Sequence, residues 1–154
     1  MATNYSEVNE VFLQKITDFY LANLLSSTPT IAENRMLGWM KSSIAMFDRC
    51  KANLYDRNDT TKNFNFNLSD KEIEILSFFM CYHWALPVIQ NLLHLKHQLG
   101  DTAFKLSGTQ ANHLKALQEF RKICLDDAQY WMMQYTYDTS NPDEVRPNPI
   151  RDLS

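Results

Sequence analysis

Residues 68–100 read LSDKEIEILSFFMCYHWALPVIQNLLHLKHQLG, and this stretch decides the fold. Ser69 is placed to cap a helix, Glu72 to return the bond as the far half of a capping box, and Leu68 with Ile73 to close a hydrophobic staple. The apolar residues beyond recur at helical spacing as far as Leu99. Gly100 then suits the left-handed position that ends a helix. Pro87 falls in the middle. It removes one backbone N–H and presses on the carbonyl of His83, so the spacing predicts a long helix kinked near Pro87.

Working outward, three more helices are expected. One covers Ser6 to Leu25, with Ser6 as N-cap and Val8, Phe12, Ile16, Phe19 and Tyr20 along a face. A second begins at TIAE, where Thr30 and Glu33 form a capping box, and fades near Leu54; Leu37, Met40, Ile44 and Phe47 make its stripe. The last runs from Thr109 to Tyr137 with Leu114, Leu117, Arg121, Cys124, Ala128 and Trp131 on one side. Arg121 interrupts that stripe, either snorkelling outward or pairing with an acid. Trp39, Trp84 and Trp131, one on each of the three later helices, are expected in the core. With only three glycines, the tight turns of a β-rich fold are out of reach. The expected architecture is therefore all-α: a bundle of four main helices over residues 1–137, the third kinked at Pro87, followed by an extended C-terminal arm over residues 138–154.

Residues 56–67, DRNDTTKNFNFN, form a loop by composition. Phe64 and Phe66 alternate with asparagines, an extended pattern that presses two rings either onto the chain's own bundle or onto a neighbouring subunit.

The arm differs in kind from what precedes it. Three of the five prolines, Pro142, Pro147 and Pro149, lie there, and they exclude both helix and central strand. Val145, Ile150 and Leu153 supply spaced apolar anchors, with Arg146 and Arg151 beside them. An extended segment anchored at intervals and able to order on a partner is one reading; a dispensable end is the other.

Several chemistries find no support. Net charge is −3, with −1 over residues 1–137 and −2 beyond, and no basic run offers a grip on nucleic-acid phosphates. The first ten residues lack signal-peptide regions, and no apolar run approaches about 18 residues, so no membrane span is expected. Cys50, Cys81 and Cys124 show neither zinc nor disulfide spacing, so they are expected as small buried side chains in a reducing compartment. His94 and His97, three apart on the third helix, are the one weak metal candidate; no di-iron Glu-x-x-His pair exists on the long helices. Phosphate-loop, dinucleotide and hydrolase signatures are absent. No catalytic residues, metal or cofactor are expected, and the chain reads as a non-enzyme.

From Phe64 to Phe120 the chain resembles small structural proteins from the head-and-neck gene clusters of tailed bacteriophages. The similarity lies in the FN run leading into LSDKEIEIL, the Trp-bearing amphipathic helix, the GDTAFK loop and the ANHLKAL opening of the last helix. The group is the head–tail connector adaptor, or head-completion, proteins of long-tailed phages. The resemblance implies an all-helical subunit in a homo-oligomeric ring, usually a dodecamer, beneath the portal protein. Such a ring extends a channel through which DNA passes without specific binding, and presents a docking surface for the next neck or tail component. It implies a virion location after synthesis in the bacterial cytoplasm, with no membrane partner. In that family an extended terminus commonly reaches over the portal, which makes Val145, Arg146, Pro147, Pro149, Ile150, Arg151 and Leu153 the portal-binding candidates and Phe64 and Phe66 the subunit-interface candidates. No particular portal-binding motif matches NPDEVRPNPIRDLS. The rival reading is a small cytoplasmic helical interaction module whose tail is a peptide ligand.

Overall fold

The computed structural model describes residues 2–106 and 108–138. Six helices account for most of them: α1 (Tyr5–Lys15), α2 (Phe19–Ser27), α3 (Pro29–Met46), α4 (Asp70–Leu99), α5 (Asp101–Leu106) and α6 (Gly108–Asp138). Two two-residue strands, β1 (Arg57–Asn58) and β2 (Asn63–Phe64), pair antiparallel between α3 and α4, with Arg57 opposite Phe64. The fold is all-α, built on long-range packing between helices.

The α4 helix is the hub. It packs along α6 over the longest interface and also carries α1, α3 and α5. Its 30 residues span about 45 Å at the α-helical rise. Ile75, Leu76, Phe79, Met80, Cys81 and Ala85 are each essentially inaccessible, because a helix with neighbours on several sides must be apolar over most of its circumference. The same composition makes α4 long and apolar enough to cross a membrane, and 61% of its most apolar stretch is buried inside the protein. The capping box is present: Ser69 Oγ accepts the Glu72 N–H and the Ser69 N–H donates to Glu72 Oε1 at 2.9 Å. Leu68 and Ile73 are both buried, as a staple requires. At the far end Gly100 adopts φ +78°, where a Cβ would be strained, and α5 starts immediately after it. Pro87 stands inside α4, which continues past it to Leu99.

The first predicted helix is two helices. Asp18 Oδ1 accepts the Leu21 N–H at 3.0 Å and caps α2, while Oδ2 accepts the Trp84 indole N–H at 2.8 Å. That shared carboxylate breaks the chain at Ile16–Asp18 and turns the expected stripe outward, leaving Phe19 79% and Tyr20 60% exposed. Arg35 covers the Tyr20 ring at 5.3 Å. The N-cap of α1 is Asn4 rather than Ser6, with Glu7 returning the bond. The predicted box at Thr30 and Glu33 does not form either. Pro29, with no N–H to satisfy, takes the first helical position, and Glu33 pairs with Lys62 on the hairpin instead. The α3 helix stops at Met46, eight residues short of the predicted fade at Leu54.

The loop 56–67 is ordered by the N-terminal residues. Thr3 and Tyr5 exchange backbone bonds with Lys62, Phe64 and Phe66, and the buried Thr3 hydroxyl accepts the Leu68 N–H at 2.7 Å. Lys62 turns the hairpin at φ 57°.

Candidate interaction surfaces and polar sites

Among the described residues no group of three or more His, Cys, Asp or Glu side chains is arranged to hold a metal. His94 and His97 are both exposed, and His94 Nε2 lies 3.1 Å from the Gln98 side-chain amide. The chemistry-bearing residues instead gather in two places.

The first surrounds Glu72, which is 7% exposed. Besides its capping bond, its Oε2 accepts from Cys50 Sγ at 3.0 Å and from the Tyr135 hydroxyl at 3.4 Å. Tyr135 in turn accepts the Lys51 N–H at 3.0 Å and meets Phe47 edge-on. One carboxylate thus joins the start of α4, the segment after α3 and the end of α6. Burial, then the bond to Glu72, pushes the Cys50 thiol up to about 12. Burial likewise raises Tyr135 to about 12. A thiol held protonated in this way is a poor nucleophile, so the cluster acts as a structural clasp. Cys50 departs from the expectation of an apolar buried thiol. Cys81 and Cys124 meet it, lying buried with their thiols within bonding reach where α4 and α6 pack.

The second surrounds Arg121. Its Nε donates to the Tyr82 carbonyl at 3.2 Å and its guanidinium sits 4.0 Å over the Tyr82 ring. Neither expected role for Arg121, snorkelling or pairing with an acid, describes this. Pro87 withholds its N–H from the His83 carbonyl, so the Tyr82 carbonyl that Arg121 meets is the acceptor next to the one the proline leaves open. His83, half-buried beside it, has Nε2 3.1 Å from Met46 Sδ. Its pKa is lowered, first by burial and then by the Arg121 charge.

The clearest outward-facing feature is apolar. On α6, Ile123, Tyr130 and Tyr137 recur every seven residues and are 55%, 51% and 70% exposed. Seven residues are nearly two helical turns, so these three lie along one side, with Met133 exposed nearby. The side facing α4 buries Leu114, Leu117, Cys124, Ala128 and Tyr135. Trp131, expected in the core, is 39% exposed and touches Tyr130 edge-on. Trp84 is buried as expected, and Trp39 is half-buried against Phe12.

Of the two subunit-interface candidates, Phe64 is corrected to a core residue. It is fully buried in its own chain, packed on Tyr5 at 5.2 Å and Phe66 at 5.8 Å, so no face of its ring is left for a neighbour. Phe66 is half-buried against the same cluster. The α6 helix carries through Asp138, one residue into the predicted arm. Val145, Arg146, Pro147, Pro149, Ile150, Arg151 and Leu153 lie outside the described residues.

No protein-family model, curated protein or solved structure matches this chain. Its class is therefore set by its own architecture, an all-α fold centred on the α4–α6 pair.

Proposed function

We propose that this chain is a non-enzymatic structural subunit of a phage neck ring, a head–tail connector adaptor. It docks on the portal, extends the DNA channel and receives the next neck or tail component. In this reading the helical body behaves as a bundle of four main helices kinked at Pro87, and residues after Asp138 form an extended arm over the portal. The supporting observation is the outward stripe of Ile123, Tyr130 and Tyr137, which leads along α6 directly into the proline-bearing segment. Apolar side chains repeated along an exposed helix face suit contact with another chain. A second copy of this chain is the occupant proposed, with Phe66 at the periphery. The resemblance over Phe64–Phe120 supplies the virion context.

Mass measurement of the purified protein, alone and with portal, tests this. A ring, alone or on the portal, is expected; a monomer or dimer under both conditions favours the helical interaction module instead. Replacing Ile123 and Tyr130 by Glu should abolish assembly. The monomer's stability should change by only about 0.5 kcal/mol per site, as at other exposed positions.

Removing residues 139–154 is the complementary experiment. The melting temperature should change little, whereas attachment to portal-bearing heads should be lost. In the arm, Val145, Ile150 and Leu153 would each contribute about 1–2 kcal/mol on burial, multiplied by the copies around a ring. Truncated protein that loads onto heads at full occupancy would reduce the arm to a loose end.

A further inference from the structure

Among the described residues, several of the less exposed cations meet carboxylates. Lys15, its side chain 19% exposed, is 2.6 Å from Glu74, and Arg57, at 16%, is 3.2 Å from Asp59. Even the more exposed Lys41, Lys62 and Lys96 meet acids. Arg121 is half-buried and meets none among the described residues. One guanidinium N–H goes to the Tyr82 carbonyl and the π face lies on the Tyr82 ring. That arrangement fixes the plane of the group, while its two terminal nitrogens meet no acceptor among the described residues. An oriented guanidinium edge of this kind is matched in shape by a planar oxyanion that accepts two parallel bonds.

We propose that Arg121 is half of an ion pair completed on assembly by a carboxylate from another polypeptide chain, docking where α6 crosses α4 beside Tyr82 and His83. A carboxylate fits better than a phosphate for two reasons. The site carries one fixed positive charge, since its surroundings keep His83 neutral at pH 7, and a single charge balances a monoanion. The chain as a whole is also negative, at −3, which disfavours polyanions such as nucleic acid. The groups facing His83 are Tyr82 on its own helix, Met46 from α3 and Arg121 from α6. His83 is therefore a built-in reporter: an anion held by Arg121 favours the imidazolium and raises a pKa that burial and Arg121 otherwise lower. The inference rests on the reading of this chain as one that docks on other chains. Its test does not involve the ring.

The experiment titrates the full chain with acetate, and separately with inorganic phosphate, at constant ionic strength, following the His83 ring by NMR. Saturable shifts with acetate and an upward movement of the His83 pKa are expected. R121Q should weaken acetate binding about tenfold or more, the scale of a charge-assisted pair. R121K, which keeps the charge but not the fork, should fall between the two. R121Q alone should raise the His83 pKa, and this separates lost charge from lost fold, with circular dichroism checking the latter. Shifts that are absent, or unchanged in R121Q, overturn the site. Tighter binding of phosphate than of acetate overturns the carboxylate assignment. A null result leaves ring assembly untouched, so the two readings fail separately.

Discussion

Glu72→Ala should lower stability by about 3 kcal/mol, which for a chain of this size is about 10 °C in Tm. The side chain answers three donors from three parts of the fold: the Ser69 N–H, the Cys50 thiol and the Tyr135 hydroxyl. Loss of the capping box alone costs about 1 kcal/mol. The remainder comes from taking the shared carboxylate away from the Cys50 thiol and the Tyr135 hydroxyl, which still reach each other, since a buried donor that loses its acceptor costs about 1–3 kcal/mol. Removing a buried charge returns some desolvation energy, which keeps the total below the sum of these contributions. Ser69→Ala is the internal comparison, because it removes only the cap and should cost about 1 kcal/mol. Thermal melts of the two variants decide the matter. Should E72A lose no more than S69A, the clasp between α4, residue 50 and α6 contributes nothing beyond the cap.

The contrast between Ser69 and Asp18 explains what was legible in the sequence. The start of α4 is written within six residues, Leu68 to Ile73, so the cap, box and staple could be read directly. The same holds for Gly100 at its end and for the Leu114, Leu117, Cys124 and Ala128 face of α6. Asp18 is different. Its role as a cap competes with a helical spacing that runs on smoothly through Phe19 and Tyr20, and the competition is settled by Trp84, which lies 66 residues away. Glu33 was drawn from a local capping bond by Lys62, itself presented by the left-handed turn of the hairpin. Phe64 is buried because Thr3 pairs with the strand that carries it, a contact no local pattern encodes. The outward stripe of Ile123, Tyr130 and Tyr137 is not among the faces expected from the sequence, although the three repeat at seven residues. A periodic apolar set does not state which of two helix faces meets the core. Arg121 shows the same limit: its interruption of the stripe was visible, but its Tyr82 partner depends on how α6 crosses α4.

Alkaline pH should destabilise this protein progressively from about pH 9 upward. Cys50 is raised from 9.0 to about 12, chiefly by burial and then by the bond to Glu72. Cys81 is raised by its bond to the Cys124 thiol and by burial. Tyr135 rises from 10.0 to about 12 by burial, and Tyr5 rises too, through burial and its 2.6 Å bond to Asp59. In each case the fold favours the protonated form. Below pH 9 both states hold these protons and stability is independent of them. Above it the unfolded chain releases protons that the folded chain retains, so stability falls as pH rises toward the folded pKa values. One group fully out of step contributes at most about 1.4 kcal/mol per pH unit. Two thiols therefore give up to about 3 kcal/mol per unit above pH 9, less for Cys50 because it is partly solvated, and the tyrosines steepen the fall above 10. Against a typical total of about 5–15 kcal/mol, that places the unfolding midpoint within one to three units of its onset. Urea denaturation from pH 7 to 11 should show a plateau followed by a steep descent. C50A lowers the plateau by removing a bond to Glu72, but it should make the descent shallower, since slope counts protons and not contacts. A profile that stays level to pH 11 would mean that the thiols and phenols ionise inside the fold, and the packing around Glu72 and between α4 and α6 would then be looser than their burial indicates.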